Sequence, residues 1–244
     1  LNNHELAALD KAGVVGFKFF WGYAIDSKTY QLIYNYKEGM ENVIPPLDVG
    51  EVYKIFREVA KTGKMVAIHA EDFDLIKTLT AEVKASGETD YAAMLRSRPV
   101  LSETLVIQTA IQLAEELGVH LHILHLACGA GVDLIREAQK KGIHVTGETC
   151  PHYLALTDQD ASQLGAMIKG YPPVRTQYDQ DKLWEGLRDG TLSIALNTKY
   201  AFAEVPAQMD MRDLGAVRKW YTATLQGMCR IMDVLLKSGL PAAE

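Results

Sequence analysis

Two histidines and a lysine stand where such side chains do chemistry. Lys18 interrupts the apolar run 14–20 (VVGFKFF), His69 lies near the end of 65–70 (MVAIHA), and His125 lies within 121–127 (LHILHLA). Each falls toward the C-terminal part of a strand-like run. In parallel α/β architectures that edge of the sheet carries the active site. A lone strand histidine is commonly a hydrogen-bonded core residue, and a lone lysine between aromatics commonly packs its stem while lifting its ammonium out. Three such residues on successive strands, at the same end, point instead to one shared polar site. Two neutral imidazoles with an anionic ligand suit zinc or a similar divalent ion.

The elements that must position them alternate in type. Residues 14–20, 65–70, 121–127, 143–148 and 192–196 have strand length and content. Between them run helix-period segments at 49–62, 73–86, 102–118, 132–141 and 179–188, several followed by a helix-ending glycine at Gly63, Gly118 or Gly142. Apolar strands each followed by an amphipathic helix predict a parallel sheet covered by helices. About five such strands fit either a doubly wound sheet or part of an eight-stranded barrel, and no G-x-G-x-x-G follows a strand to mark a dinucleotide site. Past residue 205 the pattern gives way to one longer helical stretch, 214–237, so the expected division is a barrel-like domain over 1–205 and a helical segment over 206–244.

The bulk composition is that of a globular protein: 244 residues, 48% hydrophobic and 23% charged, with a formal net charge of -6. Interspersed charges of both signs give no reason to expect a nucleic-acid or membrane partner. Cys128, Cys150 and Cys229 are an odd, sparse set that argues for a reducing compartment, hence a cytoplasmic location. No apolar run approaches the roughly 20 residues of a membrane span. The chain opens at Leu1 in what reads as mid-helix, with neither an initiator Met nor a signal peptide, and so reads as cut.

The segments GFKFFWGY, VAIHAED, LHILHLACGAGVDLI and HVTGETCPHYL resemble successive strand motifs of the cyclic amidohydrolases: hydantoinases, dihydropyrimidinases, allantoinases and dihydroorotases. The resemblance continues through ASQLGAMIKGYPPVR and LWEGLRDGT and covers nearly all of residues 1–200 in order. It implies a (β/α)8 barrel of the TIM type, here partial. It further implies that Lys18 is carbamylated and bridges two metal ions, zinc or another divalent ion such as manganese. His69 and His125 then bind the second ion, and Tyr23 stabilises the oxyanion. Tyr171 and Pro172, with Pro173 and Arg175, match the loop that positions substrate, although Tyr171 stands where hydantoinases often carry a serine. The implied reaction is hydrolysis of a C–N bond in a small cyclic ureide or imide. Such chemistry needs a nucleophile that a metal supplies by lowering the pKa of water toward about 7, and a donor for the charge growing on the carbonyl oxygen. SGETDYAAMLRSRPVLSE leans toward allantoinases and Tyr23 toward hydantoinases, so the substrate stays open among hydantoin, dihydropyrimidine and allantoin rings.

Two departures from the family pattern set further expectations. The family's His-x-His pair for the first metal lies upstream of the lysine strand, and its small β-sandwich lies downstream; neither has a counterpart here. The aspartate of the last strand, which binds the first metal and moves the proton, aligns with Thr198, and the histidine after it with Lys199. One metal held by Lys18, His69 and His125 therefore remains, with impaired activity, since proton transfer help is commonly worth about 10²–10⁴ in rate. The alternative is a non-catalytic scaffold or a fragment of the same lineage. Missing strands would leave an open sheet edge, which predicts homo-oligomerisation.

Lesser candidates are weighed alongside. His120 and His122 lie at the start of their strand and, at about 3.3 Å per residue, too far below His125 to share its ligand. His152 resembles a family histidine near the pocket. Glu71 and Asp72 either orient a ligand or cap the next helix. Cys128 and Cys150 read as packing residues.

Overall fold

The computed structural model describes residues 5–34 and 36–193. Its centre is a parallel sheet of four strands, β1 (Gly16–Trp21), β5 (Met65–Ala70), β6 (His120–Ile123) and β7 (Val145–Gly147), paired in that order. A parallel bridge from Glu148 to Ser193 begins a fifth position beside β7. A small antiparallel sheet, β2 (Ala24–Asp26) flanked by β3 (Leu32–Ile33) and β4 (Val43–Ile44), is built into the connection after β1. The helices are α1 (Leu6–Lys11), α2 (Val49–Ala60), α3 (Phe73–Ser86), α4 (Tyr91–Ser97), α5 (Val100–Leu117), α6 (Gly129–Lys140), α7 (Pro151–Ala155), α8 (Ala161–Leu164) and α9 (Gln177–Arg188).

The covering helices start and stop where local chemistry dictates. Asp48 and Glu51 form a reciprocal capping box at the start of α2, and Thr176 with Asp179 does the same for α9. Gly118 ends α5 in the left-handed conformation, with φ 64°, which costs glycine nothing. In α2 the buried residues Val52, Ile55, Phe56 and Val59 recur at helical spacing, so one stripe faces the sheet. That stripe meets Val66 and Ile68 of β5, while Ile107 of α5 and Ile135 of α6 join the same core under Leu121, Ile123 and Val145. Each fully buried aliphatic or aromatic side chain there contributes about 1.5–3 kcal/mol.

Register assigns the two faces of the sheet. Lys18, Ala67, His122 and Thr146 form one cross-sheet row, with Phe20 paired to His69 above it and Met65 to His120 below. The alternate residues, Phe17, Val66, Leu121 and Val145 among them, are buried under the helices. Strand order therefore advances in one direction with the helices on one face. A doubly wound sheet reverses its order and carries helices on both faces, so the architecture is part of a (β/α) barrel, with the Lys18 row on its inner side.

Three details differ from the sequence reading. The strand expected over 121–127 ends at Ile123, and His125 follows it with φ 39° in the left-handed region. The small antiparallel sheet and α4 were not expected. Of the strand expected over 192–196, Leu192 and Ser193 are described and Ser193 bridges; residues 194–196, like the helix at 214–237, lie outside the described residues.

Candidate active site

His69 and His125 meet at the C-terminal edge of the sheet. His69 is 3% exposed, and its Nδ1 lies 3.1 Å from His125 Nε2. His125 reaches this position because the chain turns sharply after β6, and its own Nδ1 is buried without a hydrogen-bond partner among the described residues. Burial, then the neighbouring His69, pushes the His125 pKa down to about 4, with Lys18 adding to the effect. At neutral pH this imidazole is uncharged, which is the form that binds metal. Lys18 starts one row lower, and its Nζ lies 4.1 Å from the Phe20 ring centre, which in turn is 5.6 Å from that of His69.

Glu71 organises the cluster. Its Oε2 accepts from His69 Nε2 at 2.9 Å, from the Tyr23 hydroxyl at 2.9 Å and from Arg98 Nη1 at 2.7 Å, while its buried Oε1 has no partner among the described residues. Burial alone would raise the Glu71 pKa, but the His69 hydrogen bond and the Arg98 charge hold it down to about 2. A carboxylate only accepts, so His69 carries a proton on Nε2, and Nδ1 is the nitrogen that faces His125. The Tyr23 hydroxyl also accepts from Arg98 Nη1 at 3.1 Å, and its ring packs 4.9 Å from that of His69. Burial and then the Glu71 charge push the Tyr23 pKa well up. Gly22 makes this approach possible: with φ 113°, its backbone lies where a Cβ would come within 2.1 Å of the Glu71 carbonyl oxygen.

A second buried pair fixes the surrounding loops to α5. Arg175 Nε donates to Glu103 Oε1 at 2.8 Å, and Ala127 N donates to Glu103 Oε2 at 3.2 Å, so one carboxylate ties down both the 171–175 loop and the turn carrying His125. Burial pushes the Glu103 pKa up against the pull of Arg175. Arg175 Nη1 also donates to the Arg98 carbonyl at 3.0 Å, linking this pair to the Glu71 network.

The structure thus brings Lys18, His69, His125 and Tyr23 together. Tyr23 is present, but its proton points at Glu71. Tyr171 joins the same region, with the Arg98 guanidinium 3.9 Å from its ring centre. Pro172 is buried, and its carbonyl accepts from the Tyr153 hydroxyl at 2.7 Å. Glu71 and Asp72 divide the two roles foreseen for them: Glu71 orients His69, and Asp72 caps α3 by accepting from Leu75 N. His120 and His122 lie elsewhere, both bonded to Thr146 Oγ1. Cys128 belongs to the core. Thr198 and Lys199 lie outside the described residues. Sequence reasoning missed Arg98 and Glu103 as site residues; the only signal was an acid in the first turn of α5, a position where acids are ordinary.

The donor set fits a metal in part. Two nitrogens bound at about 2.0–2.1 Å in a tetrahedral site stand a little over 3 Å apart, which is the His69–His125 separation. The carboxylate behind His69 is the arrangement that fixes a ligand's tautomer. Among the described residues no group of three or more His, Cys, Asp and Glu side chains is placed to hold an ion, so a third protein ligand from this region must be of another kind, and Lys18 is the neighbour available.

A partial (β/α) barrel carrying a histidine pair and a lysine at its C-terminal edge has the build of a barrel hydrolase. No family model matches the chain. It is 34% identical over 228 residues to an allantoinase of Enterococcus faecalis, covering 93% of this chain and 46% of that protein. It is 35% identical over 190 residues to an L-hydantoinase of Paenarthrobacter aurescens, covering 78% of this chain and 39% of that one. Among solved structures, the L-hydantoinase (dihydropyrimidinase) from Arthrobacter aurescens superposes with a TM-score of 0.68 at 35% identity, over 78% of this chain and 39% of that one. The chain belongs to the cyclic amidohydrolase family and spans less than half the length of these relatives.

Proposed function

We propose that the chain contributes the metal-binding half of a hydrolase that opens a cyclic amide ring of the hydantoin, dihydropyrimidine or allantoin kind. One observation carries this reading: His69 Nδ1 and His125 Nε2 face each other at 3.1 Å, with Glu71 behind His69 fixing its proton on the far nitrogen. His69, His125 and Lys18, the last as its carbamate, would hold a divalent ion, zinc or one like it. When bound, such an ion polarises the ring carbonyl and eases deprotonation of water at neutral pH.

The chain's own residues do the rest. Glu71 and Arg98 keep His69 oriented, and burial keeps His125 neutral. Tyr23 is adjacent, and its hydroxyl becomes an oxyanion donor only by releasing Glu71. Arg98 and His69 can then hold the Glu71 charge between them. The relatives' names support a ring substrate, and the acidic chain supports a small molecule rather than a nucleic acid. We take the chain to act as a cytoplasmic homo-oligomer; among the described residues no helix is long and apolar enough to cross a membrane. A second reading, a non-catalytic scaffold, is favoured by Thr198 standing where the family has its aspartate.

Metal analysis of the full chain purified without chelator decides between them. About one ion per chain, lost in a His69→Ala/His125→Ala variant, is expected. A folded chain without metal removes the hydrolase reading and leaves the scaffold.

A further inference from the structure

A groove of about 1090 Å³ opens from the Glu71 network, lined at its inner end by Tyr23, Arg98 and Tyr171. It is far larger than a five- or six-membered ring requires, and at the upper end of the range for small-molecule sites. Its outer part is lined by Lys37, Lys77, Lys84 and Lys169. Asp90 is the one acidic residue among its described lining, and that carboxylate is spent as the cap of α4, accepting from Ala93 N at 2.7 Å. No described carboxylate pairs with any of the four lysines. Lys77 and Lys169 instead stand over the Phe73 and Tyr171 rings, at 5.8 and 5.5 Å. A contact with a ring face leaves an ammonium free to donate to an anion.

This accumulation runs against the molecule's net charge of -6. A cleft lined by one sign of charge focuses its field on a ligand of the other sign. Arg98, already paired with Glu71, is not the recognition element. The unpaired lysines are.

We propose that the ring taken by this site carries an anionic, carboxylate-ended side chain, and that the groove from Tyr171 out to Lys77 and Lys84 receives it. The substrate assignment rests on the ring-opening reading above. The groove's aromatic side chains pack the arm, and the lysines bind its end.

Calorimetry on the full chain tests this with three probes: 5-(2-carboxyethyl)hydantoin, its neutral carbamoyl analogue, and isophthalate, a dianion without the reactive ring. Exposed ion pairs are individually weak, so the acid is expected to bind about 3–10-fold more tightly than the amide at low salt. That advantage should vanish in a Lys77→Gln/Lys84→Gln variant and at roughly 1 M salt, where the screening length is about 3 Å. Both substitutions are on the exposed face of α3, and circular dichroism verifies the fold. Equal affinity for acid and amide, or a preference that survives the double substitution, overturns the proposal while leaving the ring reading intact. Isophthalate binding that depends on the two lysines, with neither hydantoin binding better than isophthalate, keeps the anion subsite and removes the ring. Failure of all three probes removes both.

Discussion

At the upper, C-terminal edge of the sheet, His69 and His125 meet beside a carboxylate that accepts three hydrogen bonds. At the lower end, His120 stacks flat on His144 at 3.8 Å, and His120 and His122 share the Thr146 hydroxyl at 3.0 and 2.8 Å. Both ends gather histidines from neighbouring strands. They differ in what stands behind the rings. A carboxylate with its pKa near 2 accepts only, and so dictates that the His69 nitrogen facing it carries a proton. At the lower end the hydroxyl donates or accepts, and the carboxylate beside His122, that of the part-exposed Glu148, stays 3.7 Å from its Nε2, beyond hydrogen-bond reach, so no tautomer is dictated at His120 or His122. Histidine count therefore does not make a metal site; a buried anion that fixes the ring's proton does.

The largest effect should come from removing the cation that lets that anion stay buried. Arg98→Met leaves Glu71 with only His69 and Tyr23 as donors, in a position with no solvent exposure. Losing one partner of a buried charge pair costs about 3–5 kcal/mol. Denaturant unfolding of the full chain should show a loss of that size. A loss below about 1 kcal/mol would mean that neutral donors suffice, and the contrast between the two ends would collapse.

Removing the hub at the lower end should cost much less. Thr146→Val keeps the branched shape and deletes one hydroxyl from a partly exposed cluster. A single neutral hydrogen bond is worth about 0.5–1.5 kcal/mol, and that is the expected loss in the same measurement. A loss as large as that of Arg98→Met would show the lower cluster to be as tightly built as the upper one.

The same contrast explains what the sequence discloses. Long apolar runs and capped amphipathic helices mark β1, β5, α2 and α3, because period and caps are local properties. Lys18, His69 and His125 are legible because polar residues inside such runs are conspicuous. Arg98 is not, since it reaches Glu71 across 27 positions from the end of a seven-residue helix, and nothing in its spacing announces the contact. Glu103 is hidden for a related reason: it is 1% exposed yet sits where a solvated first-turn acid is common. The strands of the small antiparallel sheet are two or three residues long, too short to show alternation. His125 departs from its expected strand because the chain adopts a left-handed turn there, a conformation that a histidine seldom signals.

The smallest effect concerns pH. Partial burial, followed by the charges of His144 and His122, holds the His120 pKa below its ordinary value of 6.5. Below pH 6.5 the unfolded chain therefore binds this proton while the folded chain still resists it. Stability rises with pH wherever the unfolded state binds more protons, so the penalty appears as pH drops through 6.5 and grows until the folded group titrates. His120→Gln removes it. His125 and Glu71 are present in both proteins, so their own acid sensitivity cancels in the comparison. Melting temperatures of the two proteins should differ by a constant amount above pH 7 and shift in favour of the variant as pH falls toward 5. Parallel curves across that range would show that the stacked histidines do not share their charge, and that solvent reaches the lower cluster more fully than its packing implies.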